Sequence, residues 1–317
     1  MNIAFFTQGG YQGKVPRHNT NMRTDQAWVC ALDAIHYPIH AIHIAAEADI
    51  DVAIVIIPKE GPREQLAKQD FDLIGAIRSC GCKKVLVMQE STHWDWQDGS
   101  FAAMVWYHNQ LTQADAILCH NDIDLNYFTG ITNKPAYICP TLMIEDSVAD
   151  LRNKVGTDKV FVAGNWHTTY RGFDAWVIGN EFELPMLGFR SGKFKDGEES
   201  NGINYLPWMD WKQFMTELSS CKYGVQTYQA SAGQFPLNCA YAGTPCIGYN
   251  DINTQKDLFP DLSVVRGDVL EARKLVSKLT KDRGFYQYCV DHALVMYDEL
   301  YTEEVFKKNM NLIINSL

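Results

Sequence analysis

Short apolar runs of strand length alternate with helix-length periodic stretches through most of this chain, and that pattern admits few folds. Strands are expected at residues 2–7, 41–43, 52–57, 84–88, 116–119 and 136–139. Helices are expected between them at 24–34, 62–79 and 101–114, the first opened by the polar Thr24-Asp25-Gln26. Such repetition implies a parallel sheet joined by right-handed crossovers. After a polar segment, 145–158, the alternation restarts. New strands are expected at 159–163, 185–188, 203–206, 223–227, 245–248 and 263–265, with helices at 172–180, 211–220 and 237–242. Helical periodicity over 269–281 and 285–317 closes the chain. The expected class is α/β, two Rossmann-like halves joined near residues 141–155. A length of 317 residues is enough for two domains of about 150 each.

The second half carries the most pointed local signal, YLPWMDWKQFMTELSSCKYGVQTYQASAGQFPLNCAYAGTPCIGY, starting at Tyr205. It reads as loop, amphipathic helix, strand, glycine-containing loop, small-residue helix, then Gly-Thr-Pro and a strand. A glycine-containing loop that opens a helix offers backbone N–H groups and the positive end of the helix dipole, which together suit a phosphate. A nucleotide-linked substrate is the expectation.

Composition narrows the rest. The nine cysteines are scattered, apart from Cys80-Gly81-Cys82, and none forms a CxxC pair or a His/Cys cluster with zinc spacing. Most sit among apolar or small residues, which points to free thiols in a reducing, cytoplasmic compartment. The N-terminus MNIAFFTQGG turns polar too soon for a signal peptide, and no apolar run approaches the length that spans a bilayer. A soluble protein is expected. The net charge of −10 argues against broad nonspecific binding to nucleic acid. It leaves room for a local basic cleft built from Arg17, Arg23 and the segment 190–195.

Four pieces, in order, resemble the GT-B glycosyltransferases that use nucleotide sugars. ADAILCHNDIDLNYFTGITNKPAYICP resembles that family's last N-domain strand, its helix and the strand before the interdomain linker. KVFVAGNWHTTYRGFDAWVIG resembles the unit that opens the C-domain. YLPWMDWKQFMTELSSCKYGVQTYQ resembles the base-binding loop, helix and strand, and SAGQFPLNCAYAGTPCIGY the loop and helix that hold the diphosphate and ribose. The resemblance implies two Rossmann-like domains with parallel sheets facing across a cleft: an acceptor domain over 1–145, a nucleotide-sugar domain over 155–295, and a helix over 296–317 packing back on the first. It implies a glycosyltransferase whose donor is a nucleotide sugar, UDP-sugar above all, with no further cofactor. Gly164 and Asn165 would lie against the phosphates, together with Gly9 and Gly10 at the end of the first strand. Arg171 would neutralise the leaving diphosphate, with Arg190 and Lys193 as further cations. Leu206, Pro207 and Trp208 would flank the base. Ala232, Gly233 and Gln234 would present N–H groups to the diphosphate, and Asn238 would meet the ribose. Retaining members often carry two glutamates bracketing that loop, where this chain has Ala230 and Asn238.

Glycosyl transfer must stabilise an oxocarbenium-like centre and a departing nucleoside diphosphate. Cationic side chains and N–H dipoles can cover that leaving group without a metal. Asp122-Ile123-Asp124 has the letters of a metal motif but stands at a predicted helix start, so it reads as capping. No metal is expected. The acceptor is assigned to the first domain. Its loop GGYQGKVPRHNTNMRTD supplies Arg17, His18, Arg23 and Asp25. The segment QESTHWDWQDGS supplies Asp95 or His93 as a base for the acceptor hydroxyl, Asp95 preferred, with Trp94 and Trp96 to stack on a ring. A saccharide or a hydroxymethylated DNA base fits as acceptor. The alternatives are a sugar-nucleotide epimerase, which needs carboxylates and histidines that residues 228–234 lack, and a non-catalytic nucleotide-sugar or glycan-binding protein. A dehydrogenase is disfavoured because no GxGxxG follows a predicted strand.

Overall fold

A computed structural model describes residues 1–22, 24–89, 92–163, 172–189, 197, 200–227 and 232–317. The chain divides into two compact units: residues 1–17, 24–140 and 303–317 form unit 1, and residues 18–23 and 141–302 form unit 2.

Unit 1 runs β1 (Ile3–Thr7), α1 (Thr24–Ala31), β2 (Ile35–Pro38), β3 (Val52–Val55), α2 (Glu60–Lys68), α3 (Leu73–Arg78), β4 (Lys84–Met88), α4 (Phe101–Gln113), β5 (Ala116–Cys119), α5 (Asp122–Thr132) and β6 (Ala136–Ile138). The six strands are parallel in the order β2-β1-β3-β4-β5-β6. All five residues of β1 are buried, because both faces of the sheet are covered. Phe6 joins a core with Tyr37, Leu73, Ile77, Val85 and Leu111. Phe5 points the other way, edge-on to Trp28 of α1 at 6.2 Å. Trp28 in turn meets Phe306 at 4.9 Å. Burial of a side chain such as Phe5 contributes roughly 1.5–3 kcal/mol.

Unit 2 runs β7 (Thr157–Ala163), α6 (Phe173–Asn180), β8 (Met186–Phe189), β9 (Ile203–Leu206), α7 (Trp211–Ser219), β10 (Cys221–Gln226), α8 (Gln234–Ala242), β11 (Cys246–Tyr249), α9 (Asn253–Leu258), β12 (Ser263–Val264), α10 (Val269–Lys281) and α11 (Arg283–Leu300). Its sheet is also parallel, in the order β12-β11-β10-β7-β8-β9. Phe161 of β7 packs on Phe214 of α7 and Phe235 of α8, with ring centroids 5.4 and 5.7 Å away. A capping box at Asp210 and Gln213 starts α7.

The final helix, α12 (Glu303–Ser316), belongs to unit 1. Its Phe306 and Met310 are buried. Lys84 Nζ donates to the Ile314 carbonyl at 2.6 Å, and Arg17 makes a two-pronged pair with Glu303 at 3.0 and 2.7 Å. The expected single helix over 285–317 is therefore two helices, broken at Tyr301, whose backbone leaves the helical region and whose hydroxyl donates to Asp257.

Two other expectations are corrected. The strand expected at 41–43 is instead part of a 3-10 helix, Ile39–Glu47, and the second strand lies earlier, at Ile35–Pro38. Pro38 has no N–H to continue a ladder. Beyond it Ile39, Ile42 and Ala45 are buried at a spacing of three, the period of a 3-10 helix. The helix expected over 62–79 is split into α2 and α3. Asp70 adopts φ +48°, and the Asp72 carboxylate accepts from Gly75 N at 2.9 Å to start the second helix. Asn121 caps α5 by accepting from Asp124 N at 2.9 Å, and Asp122 and Asp124 occupy the first turn. Among the described residues no helix is long and apolar enough to cross a membrane.

Candidate functional site

Open parallel sheets bind ligands beyond the carboxyl ends of their strands, where the strand order reverses. In unit 2 that point lies between β7 and β10, followed by residues 164–171 and 228–231. Gly164, Asn165, Arg171, Arg190, Lys193 and Ala230 lie outside the described residues, as does Arg23 of the other predicted set.

The described part of the unit 2 site is the start of α8. Ala232 lies in a turn, and Gly233 takes a left-handed conformation, φ +60°, directly before the helix. Gly233 is held from behind: its carbonyl accepts from Thr254 Oγ1 at 2.8 Å. A Cβ there would stand 2.0 Å from that same oxygen, so the position excludes side chains twice over. Gln234 opens the helix. Its Oε1 accepts from Thr141 Oγ1 at 2.5 Å, and its Nε2 donates to Asn238 Oδ1 at 3.1 Å. Asn238 is buried. Gln234 and Asn238 are thus one unit of α8, with their amides set by a contact the sequence did not announce. Thr227, at the end of β10, is 2% exposed, and its hydroxyl has no hydrogen-bond partner among the described residues. On the far edge of the sheet Leu206 ends β9 and Trp208 is exposed. His18 is grouped with this unit, and Arg17 with the other.

In unit 1 the switch point lies between β1 and β3. The loop after β1 is pinned. Gly9 N donates to Thr7 Oγ1 at 2.9 Å, and Gly13 exchanges two backbone hydrogen bonds with His36 of β2, both 2.9 Å. His36 is fully buried, with Nδ1 against the Tyr11 carbonyl at 2.6 Å and Nε2 against Thr7 Oγ1 at 2.8 Å. A carbonyl can only accept, so Nδ1 carries the proton and Nε2 accepts from Thr7. Burial lowers the His36 pKa. The unfolded chain then takes up a proton below about pH 6.5 that the folded chain refuses, so stability falls as pH drops through that value, by at most about 1.4 kcal/mol per pH unit. Thermal melts between pH 7.5 and 5.5 should show this loss in the wild type and a shallower slope in His36→Gln; equal slopes would refute it. Tyr11 stacks on His36 at 3.7 Å, and burial, then the Asp25 carboxylate, push its phenol up.

The segment after β4 brings His93, Trp94, Asp95 and Trp96 together. His93 Nδ1 lies 2.8 Å from Asp124 Oδ1, which also accepts the His93 backbone N–H at 3.1 Å. Asp124 is 1% exposed, and its other oxygen accepts from Asn121 Nδ2 at 2.7 Å. A buried carboxylate therefore holds the imidazole through Nδ1, in a side chain that is 22% exposed. Trp94 meets His93 edge-on at 4.8 Å. Trp96 stacks on Tyr107 at 5.2 Å. Asp95 and Trp96 line a pocket with Ile56, Lys59, Arg63, Gln89 and Thr92. Asp124, Asn121 and Arg63 were not among the predicted site residues. Among the described residues no group of three or more His, Cys, Asp or Glu side chains could hold a metal ion.

The sequence matches no family model and no curated protein. Solved structures do match. Sucrose-phosphate synthase of Thermosynechococcus elongatus superposes with a TM-score of 0.71 at 10% identity, covering 100% of this chain and 99% of the other. An alpha-glucosyltransferase in complex with UDP-glucose and DNA containing an abasic site superposes at 0.66 with 13% identity, covering 99% and 98%. A variant of S. aureus TarM in complex with fondaparinux, alpha-GlcNAc-glycerol and UDP superposes at 0.61 with 10% identity; 83% of this chain is covered, spanning about half, 55%, of TarM. These are GT-B glycosyltransferases, and the fold of this chain, with its two six-stranded parallel sheets, is GT-B.

Proposed function

We propose that the chain is a glycosyltransferase that moves a sugar from a UDP-sugar to an acceptor hydroxyl. The observation that carries this is the start of α8: a left-handed, side-chain-excluding glycine beside the β7/β10 switch point, opening a buried helix, a geometry that suits a diphosphate. Ala232, Gly233 and Gln234 present the N–H groups, Asn238 meets the ribose, and Leu206 and Trp208 flank the base. Gly164, Asn165, Arg171 and Arg190 supply the remaining contacts to phosphates. Without a metal, Arg171 and the helix N-terminus cover the leaving diphosphate.

Unit 1 takes the acceptor, with Arg17 and Trp94 among its contacts. Asp124 favours His93 over Asp95 as the base, because a buried carboxylate fixes the proton on Nδ1 and leaves Nε2 to take the acceptor's. A saccharide hydroxyl is the first acceptor class. A hydroxymethylated DNA base is the second, favoured by the end-to-end match to the DNA-bound alpha-glucosyltransferase.

Thermal melts with UDP and nucleotide sugars, with and without EDTA, test the donor. UDP at 100 times its Kd should add about 2.7 kcal/mol, roughly 5 °C here. The shift should survive EDTA and shrink in Arg171→Ala. No response to any nucleoside diphosphate or nucleotide sugar would overturn the reading.

A further inference from the structure

The pocket after β3 and β4 contains a cation the mechanism above does not use. Arg63, in the first turn of α2, is only 4% exposed. Its Nε is buried without a hydrogen-bond partner, and among the described residues no carboxylate pairs with its guanidinium. The adjacent Glu64 is turned to Ser100, whose hydroxyl and N–H, at 2.7 and 2.6 Å, hold that carboxyl below its ordinary range. Arg63 has instead the Tyr107 ring, 5.5 Å from its Cζ. Asp95 lines the same pocket without pairing to Arg63, and a buried guanidinium with no direct ion-pair partner is costly unless a ligand supplies one.

The surrounding polar atoms have the matching sense. Gln89, 3% exposed, accepts from Tyr107 Oη at 2.7 Å through Oε1, and burial keeps that phenol protonated. The Gln89 Nε2 is thereby turned away from Tyr107, buried and unpartnered. Thr92 Oγ1 is likewise buried and unpartnered. Arg63, Gln89 and Thr92 all line one pocket, of about 300 Å³ including its open mouth. The enclosed space is close to that of one water, so a single oxygen of a ligand would enter it. We infer that this is an oxyanion-binding site, built to take a terminal phosphate or carboxylate between Arg63, Gln89 and Thr92. Assigning that group to the acceptor rests on the transferase reading above: the anionic end goes to buried Arg63 and a hydroxyl to half-buried Asp95 and its neighbour His93.

Calorimetric titration of the full chain at fixed ionic strength tests this, with inorganic phosphate, glucose 6-phosphate and glucuronate as probes and glucose as the uncharged control. At least one anion should bind and glucose should not; whichever of glucose 6-phosphate and glucuronate binds more tightly identifies the anion. Arg63→Met should weaken binding more than about 10-fold, and Thr92→Val about 3- to 10-fold. The unliganded Arg63→Met protein should melt no lower than wild type, since it loses an uncompensated buried charge; a merely structural arginine would lower it. Should Arg63→Met fail to fold, the wild type and Thr92→Val still decide. Absence of binding by all three anions, or unchanged affinity in the variants, would overturn the site. UDP binding is read in the same preparations. Its absence alongside intact anion binding removes the transferase reading and leaves the oxyanion site standing.

Discussion

Replacing His93 with alanine is expected to reduce sugar transfer about 10²- to 10⁴-fold while UDP binding stays at its wild-type level. The loss should fall on kcat, because the imidazole acts on a proton and not on the donor. Asp124→Asn is expected to fall in the same range although it preserves shape. Asp124 Oδ1 accepts from both His93 Nδ1 and His93 N and its other oxygen from Asn121 Nδ2, so an amide cannot satisfy all three donors and removes the charge that supports a protonated imidazole. UDP release from the donor, measured with and without acceptor, gives both numbers. Full transfer in His93→Ala with an inactive Asp95→Asn would hand the base to Asp95.

Gly233→Ala should remove UDP binding and destabilise the protein by about 2–5 kcal/mol. Two independent costs add. A left-handed backbone costs a non-glycine residue about 1–2 kcal/mol. A Cβ would also stand 2.0 Å from Thr254 Oγ1 and 2.7 Å from Ile252 Cγ2, both on buried residues. Relieving that overlap means breaking the Thr254 hydrogen bond to the Gly233 carbonyl, at a further cost of about 1–3 kcal/mol. Thr254→Ala, alone and combined with Gly233→Ala, separates the causes, since it removes the clashing oxygen and leaves the cost of the left-handed backbone. Wild-type melting and UDP affinity in Gly233→Ala would refute the account of α8 as a donor cradle.

The regular parts of both sheets were legible. Strands β4, β5 and β9 and helix α10 fall on the predicted residues, because each is a clean apolar or periodic run with a defined start. For α10 that start is Asp268, whose carboxylate accepts from Glu271 N. The failures have physical causes. β2 contains His36, a polar letter that is fully buried only because Thr7 and Tyr11 partner it. The split between α2 and α3 depends on Asp70 accepting a positive φ, which no periodicity announces. At the site, His93 stood out by its position after a strand. Asp124 did not, being 31 residues away on the helix after the next strand, where it read as a helix-start acid. Arg63 sits in EGPREQ, which reads as a solvent-facing helix start; its burial comes from Tyr107, brought in by α4.

The assignment of α12 to unit 1 bears on how the protein is made. Phe306, Met310, Ile313 and Ile314 complete a core whose other members are encoded before residue 141. During translation, unit 1 must therefore wait for the roughly 160 residues of the other unit, on the order of 10–30 s at ordinary elongation rates. Through that interval Trp28 lacks Phe306 and Cys139 lacks Met310, whose sulfur lies 3.1 Å from its thiol. The first half of the chain to leave the ribosome is thus the last to be sealed, and is the half that nascent-chain chaperones would be expected to hold.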